Sequence, residues 1–261
     1  MLQQWDDDFL AQRFNISSKK RPNTLFSMKA RDLVDPTHMN ELVQIYAPLI
    51  KAHELTAAGT YISSWLTSPS LGLSYMISVW NRALTMTLDH MTIELFYEDD
   101  YPQFAFVIPA YEIVEAPFSE AERTIWLKEC YRAYFRDFLH PLLTTLAKVT
   151  GNPEAMLWGQ FPTRYNYHTD AFVALVEQDS IKQQVRADYD VLCNQLEGES
   201  FGLQKNPFKV KVRWIEDMRD PQAKVRIKNQ CCLYYKTGEQ KYCYTCPRIK
   251  EEERALMRIR A

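Results

Sequence analysis

Four cysteines packed into sixteen residues near the C-terminus constrain this chain more than any other feature: Cys231-Cys232, ten intervening residues, then Cys243-Tyr244-Thr245-Cys246 followed by Pro247. Three chemistries use such a cluster. The chain opens Met1-Leu2-Gln3-Gln4-Trp5 and then three aspartates, acidic where a secretion signal is basic and then apolar. A cytosolic setting with reduced thiols is therefore expected, which argues against structural disulfides. A bridge between neighbouring cysteines is also strained. Zinc suits the Cys243-x-x-Cys246 half, but a structural zinc site usually presents both halves as cysteines two to four residues apart. Cys231 and Cys232 are adjacent, and adjacent residues of an extended chain point to opposite sides. That geometry serves one metal ion poorly and a two-iron cluster better, because the cluster takes four thiolates over a wider frame. The residues alone leave both metal readings open and favour iron and sulfide over zinc.

The pattern Cys231-Cys232-Leu233-Tyr234-Tyr235, ten residues between the halves and Cys243-x-x-Cys246 resembles the FhuF-type ferric siderophore reductases, as do its basic lead-in and the Leu157-Trp158-Gly159 segment. The resemblance implies that Cys231, Cys232, Cys243 and Cys246 hold one 2Fe-2S cluster. It further implies an oxidoreductase of the cytosol, free or lying against the inner face of the cell membrane. Such a protein gives one electron to Fe(III) held by a hydroxamate or citrate-hydroxamate siderophore and so releases Fe(II). Its electrons would come from a separate donor protein, a ferredoxin, flavodoxin or flavin reductase. The glycines, at 59, 72, 151, 159, 198, 202 and 238, are too scattered to write a dinucleotide fingerprint or a phosphate loop, in keeping with an external donor.

Charge divides the chain. The formal net charge is −2, yet from Leu203 to Ala261 fifteen Lys or Arg face seven Asp or Glu, leaving sixteen against twenty-six before them. The division suggests an acidic body, 1–202, and a basic module, 203–261. Within the module, Phe208 to Trp214 alternates so that Lys209, Lys211 and Arg213 share one face of a strand, and Lys224, Arg226 and Lys228 repeat the device. The pair reads as a hairpin with one cationic face, the loop Ile215 to Ala223 turning at Asp220-Pro221. Arg213, Arg226 and Lys228 are the candidates for binding an anionic ferric complex. A solvated outer face is the plainer account of the same lysines. Two other functions fit the tail: a zinc-stabilised module whose basic rows meet nucleic acid, and an iron-sulfur redox sensor that regulates a partner.

The body reads as α+β, helices mixed with a central antiparallel sheet, to which the tail adds a small β-hairpin and iron-sulfur module. Asp35-Pro36 starts a helix carrying Met39, Leu42, Val43, Tyr46, Leu49 and Ile50. Residues from about Tyr75 to Val114 favour strands, with a turn at Asp99-Asp100 before Tyr101-Pro102. Ser119-Glu120-Ala121-Glu122 reads as a capping box opening a long helix that Pro141 should kink and Gly151 should end. Asn152-Pro153 starts another helix, and Ser180 is a cap for one ending near Gly198. The densest apolar stretches, Leu71 to Trp80 and Phe104 to Tyr111, are too short to cross a bilayer. Cys130 and Cys193 stand apart from the cluster and read as small buried hydrophobes. Trp158, Tyr165 and Tyr167 are aromatic candidates for siderophore contact, weighed against a place in the core.

Overall fold

The computed structural model describes residues 7–238 and 240–259; most of the acidic opening, Met1 to Asp6, lies outside them. Helix α1 (Asp7–Phe14) leads into a short strand β1 (Ile16–Ser17), then β2 (Phe26–Lys29). Helix α2 (Pro36–Leu49) begins as its sequence demands: Asp35 accepts a hydrogen bond from the Thr37 amide at 2.7 Å and Pro36 occupies the first turn. Helices α3 (Leu55–Trp65) and α4 (Thr67–Trp80) follow.

Helix α4 corrects the expectation of strands from Tyr75. Every residue from Thr67 to Val79 is buried, so the segment has no polar face to betray a helical period. A fully buried helix and a fully buried strand look alike in hydrophobicity. Ser70, Ser74 and Ser78, four residues apart, satisfy themselves inside the core; Ser78 donates to the Asp188 carboxylate at 2.8 Å. Left-handed Asn81, φ 52°, ends the helix.

Strand β3 (Arg82–Leu84) pairs antiparallel with β6 (Ile113–Glu115), and between them run β4 (Thr92–Glu98) and β5 (Tyr101–Val107). The β4–β5 hairpin turns on Asp99 and Asp100, φ 49° and 58°, as a two-residue turn with both central residues left-handed. The main sheet has the order β1-β5-β4-β2. It is mixed rather than wholly antiparallel, because β1 runs parallel to β5.

Helix α5 (Glu120–Arg132) starts after Ser119, whose side chain makes no capping bond; only its carbonyl closes the first turn, accepting from the Arg123 amide at 2.8 Å. The helix widens into a π turn over Ala133–Leu139 and continues as α6 (His140–Thr150). Pro141 has no amide hydrogen for the regular ladder, and the wide turn just before it absorbs that loss. Gly151, φ 72°, ends α6. Helices α7 (Glu154–Trp158), α8 (Gln160–Leu175) and α9 (Asp179–Asp190) complete the body; α9 opens after Gln178, so Ser180 is not its cap. The body's core joins Phe135, Trp158, Phe161, Tyr165, Phe201 and Phe208 with the inward faces of α2, α4 and the main sheet. Beside it, Arg123 grips buried Asp188 at 2.7 and 2.8 Å.

The tail hairpin is shorter than its alternation predicts. Only β7 (Trp214–Glu216) and β8 (Lys224–Arg226) pair, with Trp214 opposite Arg226. Residues 208–213 have no strand opposite them. Phe208 is drawn into the aromatic core, and the Asn206 side chain anchors it by donating to the carbonyls of Leu192 and Leu196 and accepting from the Phe208 amide. The chain closes with α10 (Glu251–Ile259).

Candidate metal centre

After β8 the chain lies across the body as an extended strap. The Asn229 backbone amide donates to the Thr163 hydroxyl at 2.8 Å, the Thr60 hydroxyl to the Cys232 carbonyl at 2.8 Å, and the Gln160 side-chain Nε2 to the Cys231 carbonyl at 3.4 Å. Gly159 makes the approach possible: a Cβ there would stand 2.7 Å from Gln230 Cβ, beside the first cysteine. We expect Gly159→Ala to cost about 1–3 kcal/mol by overpacking, read as a lowered unfolding midpoint at unchanged helical circular dichroism; an unchanged midpoint would show that the strap tolerates the methyl group.

The second cysteine pair sits on a tight turn in which the Cys246 amide donates to the Cys243 carbonyl at 3.0 Å. Helix α10 holds that turn from behind. Arg254, buried, donates from Nη2 to the Cys246 carbonyl at 2.6 Å and from Nε to the Tyr244 carbonyl at 3.2 Å, with Glu251 at 3.6 Å. A second small core results, made of Cys231, Leu233, Cys246 and Ile249 packed on Ala57 of α3, with Met156 at its edge.

The neighbouring cysteines do point apart, each toward a partner from the other half of the motif. Cys231 and Cys246 are buried with their sulfurs 3.6 Å apart; Cys232 and Cys243 are half-buried and hydrogen-bonded to one another. All four are free thiols. Two thiolates on one tetrahedral metal, with metal–sulfur bonds of about 2.3 Å, stand about 3.8 Å apart. The Cys231–Cys246 spacing suits that demand. Among the described residues no three His, Cys, Asp or Glu side chains converge on one metal position. The thiols thus fall into two pairs, Cys231 with Cys246 and Cys232 with Cys243.

Charge and backbone favour a thiolate at Cys232, whereas burial and the cysteine pairing oppose one at Cys231 and Cys243. Lys228 Nζ stands 3.3 Å from the Cys232 sulfur. The hydrogen bond from Cys243 and the Lys228 charge hold the Cys232 thiol well below its ordinary pKa, while that same hydrogen bond pushes Cys243 up; burial pushes Cys231 up to about 11. Burial disfavours the Lys228 charge, but the thiols of Cys232 and Cys243 outweigh it and hold its pKa above the ordinary value. Leu233 takes the left-handed conformation, φ 58°, rare for a branched side chain. This turn sends the Leu233 amide to Cys231 and the Tyr234 amide to Cys232.

Of the three cations expected to bind substrate, the structure brings only Lys228 to the sulfurs. Arg226 stacks on Trp214 at 4.5 Å, pairs with Asp170 and donates to the Asn166 carbonyl at 3.1 Å. Arg213 is exposed, and its carbonyl accepts from the Ile227 amide at 2.9 Å. Trp158 and Tyr165 are core residues, whereas Tyr167 is exposed. Cys130 and Cys193 are half-buried, and burial pushes their thiols to about 12 and about 11, making them poor nucleophiles. The sequence reading missed Arg254 and Thr60. Arg254 was legible only as one charge in a mixed run, and Thr60 lies 172 residues from its partner.

A cavity of about 700 Å³ lies elsewhere in the body, lined by Leu84, Met86, Leu88, Trp126, Tyr134 and Phe138, and none of the four clustered cysteines borders it. Among the described residues no helix is long and apolar enough to cross a membrane. No family model and no curated protein matches the chain.

Proposed function

We propose that this chain is a ferric siderophore reductase in which Cys231, Cys232, Cys243 and Cys246 hold a 2Fe-2S cluster. The observation that carries the reading is the pairing of the thiols, one from each half of the motif in either corner, with a lysine against the outer pair. When bound, a cluster of this kind supplies single electrons at a potential set by its surroundings.

The residues divide that work. Cys231 and Cys246 face the second core, whereas Cys232 and Cys243 are partly open to water and mark the side from which a substrate would be reduced. Lys228 and the amides of Leu233 and Tyr234 place positive charge and hydrogen-bond donors at the sulfurs, which favours the more negative, reduced state. The Fe(III) of the substrate takes up one electron, ultimately from a separate donor protein, and leaves as Fe(II). Hard hydroxamate and carboxylate oxygens hold the less charged ion far less tightly, so no bond of the siderophore need break.

Two measurements test this. Purified protein should contain two irons and two acid-labile sulfides per chain; one zinc per chain in colourless protein would replace the reading with the zinc module. The loaded protein should turn over ferric hydroxamate with an artificial donor, whereas a redox sensor should not. Lys228→Gln is expected to lower the midpoint potential in a potentiometric titration while iron content is retained, because the reduced state loses its nearest cation. An unchanged potential would remove Lys228 from that role.

A further inference from the structure

Helix α8 carries a cation without a counter-charge. Arg123, Arg226 and Arg254 are also partly or fully buried, and each reaches a carboxylate: Asp188, Asp170 and Glu251. Arg164 does not. Among the described residues it takes part in no ion pair; Nη1 donates to the Ser64 hydroxyl at 3.3 Å, and Nε, shut off from water, has no partner. Burial pushes the Arg164 pKa down, with only the Tyr101 phenol acting against it. An unpaired buried guanidinium is costly, so its missing acceptor asks for an explanation, and a ligand oxygen supplies one.

Its position relates it to the thiols. Ser64, which receives the Arg164 hydrogen bond, lies four residues beyond Thr60 on α3, about 6 Å of axial rise, and Thr60 is the residue bonded to the Cys232 carbonyl. Tyr61 lies between them on the same helix. Burial raises the Tyr61 pKa and the charges of Cys232 and Tyr101 add to the shift, while a hydrogen bond with Thr237 opposes it. Tyr101, at the start of β5, is 47% exposed. On the other side, burial and then the Arg164 charge hold His168 down to about 4, so its ring is neutral near pH 7.

We propose that Arg164, bonded to the Ser64 hydroxyl and beside the Tyr101 phenol, is a carboxylate-binding subsite that selects net-anionic, carboxylate-bearing ferric complexes and seats them beside the Cys232–Cys243 side of the centre. The proposal rests on the siderophore-reductase reading and adds the substrate class to it. The planar guanidinium matches a carboxylate with two parallel hydrogen bonds, and the Tyr101 phenol donates to a remaining oxygen. A neutral tris-hydroxamate complex offers no carboxylate and gains nothing from this cation.

Gallium(III) complexes test it, because gallium is not reduced and binding is read without turnover. Gallium(III) citrate and neutral gallium(III) tris-acetohydroxamate are titrated into the iron-loaded full chain by calorimetry. The wild type should prefer the citrate complex. Arg164→Gln should weaken it at least tenfold, leave the hydroxamate complex unchanged and keep the visible absorption, while Arg164→Lys should recover part of the loss. Removing an unpaired cation should also leave the melting temperature unchanged or raised. Equal citrate binding by wild type and Arg164→Gln would overturn the subsite, even if ferric hydroxamate is reduced. A lowered melting temperature with unaltered binding would likewise make Arg164 structural. Arg164-dependent binding of gallium(III) citrate in a protein that transfers no electrons would instead sink the reductase reading and leave the anion subsite standing.

Discussion

Replacing Cys232 with serine is expected to abolish the visible iron-sulfur absorption and to reduce bound iron and acid-labile sulfide to background. Cys232 is the residue on which both halves of the outer corner depend. It is hydrogen-bonded to Cys243, is the thiol nearest Lys228, and receives the Tyr234 amide. A serine hydroxyl stays protonated where this thiol is held as a thiolate, and a soft thiolate position is lost to the iron. The fold of the body should survive, because the Thr60 hydroxyl bonds to the carbonyl of residue 232 and not to its side chain. Cys193→Ser serves as the control and should retain full absorption, its thiol being held in the body with a raised pKa. Full iron and sulfide in Cys232→Ser would strike that residue from the ligand set.

Arg254→Ala carries the second large effect. Its guanidinium is buried and satisfies two carbonyls of the cysteine turn, those of Tyr244 and Cys246. Hydrogen bonds to a charged donor are each worth about 1.5–3 kcal/mol, and removing the donor leaves both acceptors unsatisfied. We expect a loss of about 3 kcal/mol, felt in the tail more than in the body. Iron should then pass to a chelator many times faster than from the wild type, whereas Arg254→Lys should restore part of the difference. Unchanged release kinetics would mean that α10 does not support the ligand turn.

The cysteine motif was legible because its chemistry is local: adjacency alone says that Cys231 and Cys232 diverge, and the structure sends them to Cys246 and Cys243 respectively. Helix α2 was legible for the same reason, its cap and proline standing next to each other in sequence. Helix α4 was not. Being buried on all sides, it lacks the polar-apolar period by which a helix announces itself, and its strand-like apolar run misled. The cationic hairpin failed in part because alternation describes which way side chains would point and says nothing of whether a second strand is present; Phe208 found a better place in the aromatic core. Arg226 looked like a substrate ligand among its fellow cations, but Asp170 and Trp214, fifty-six and twelve residues away, claim it. Arg164 carried no signal at all, since a missing partner is visible only once every neighbour has a position.

The small core on Ala57 has two cysteine sulfurs among its few members, so part of what fastens the last segment to the rest of the molecule is the same pair of sulfurs that would grip iron. A chain starved of the metal would present a looser end to cellular proteases than a replete one, and its lifetime would then serve as a gauge of supply.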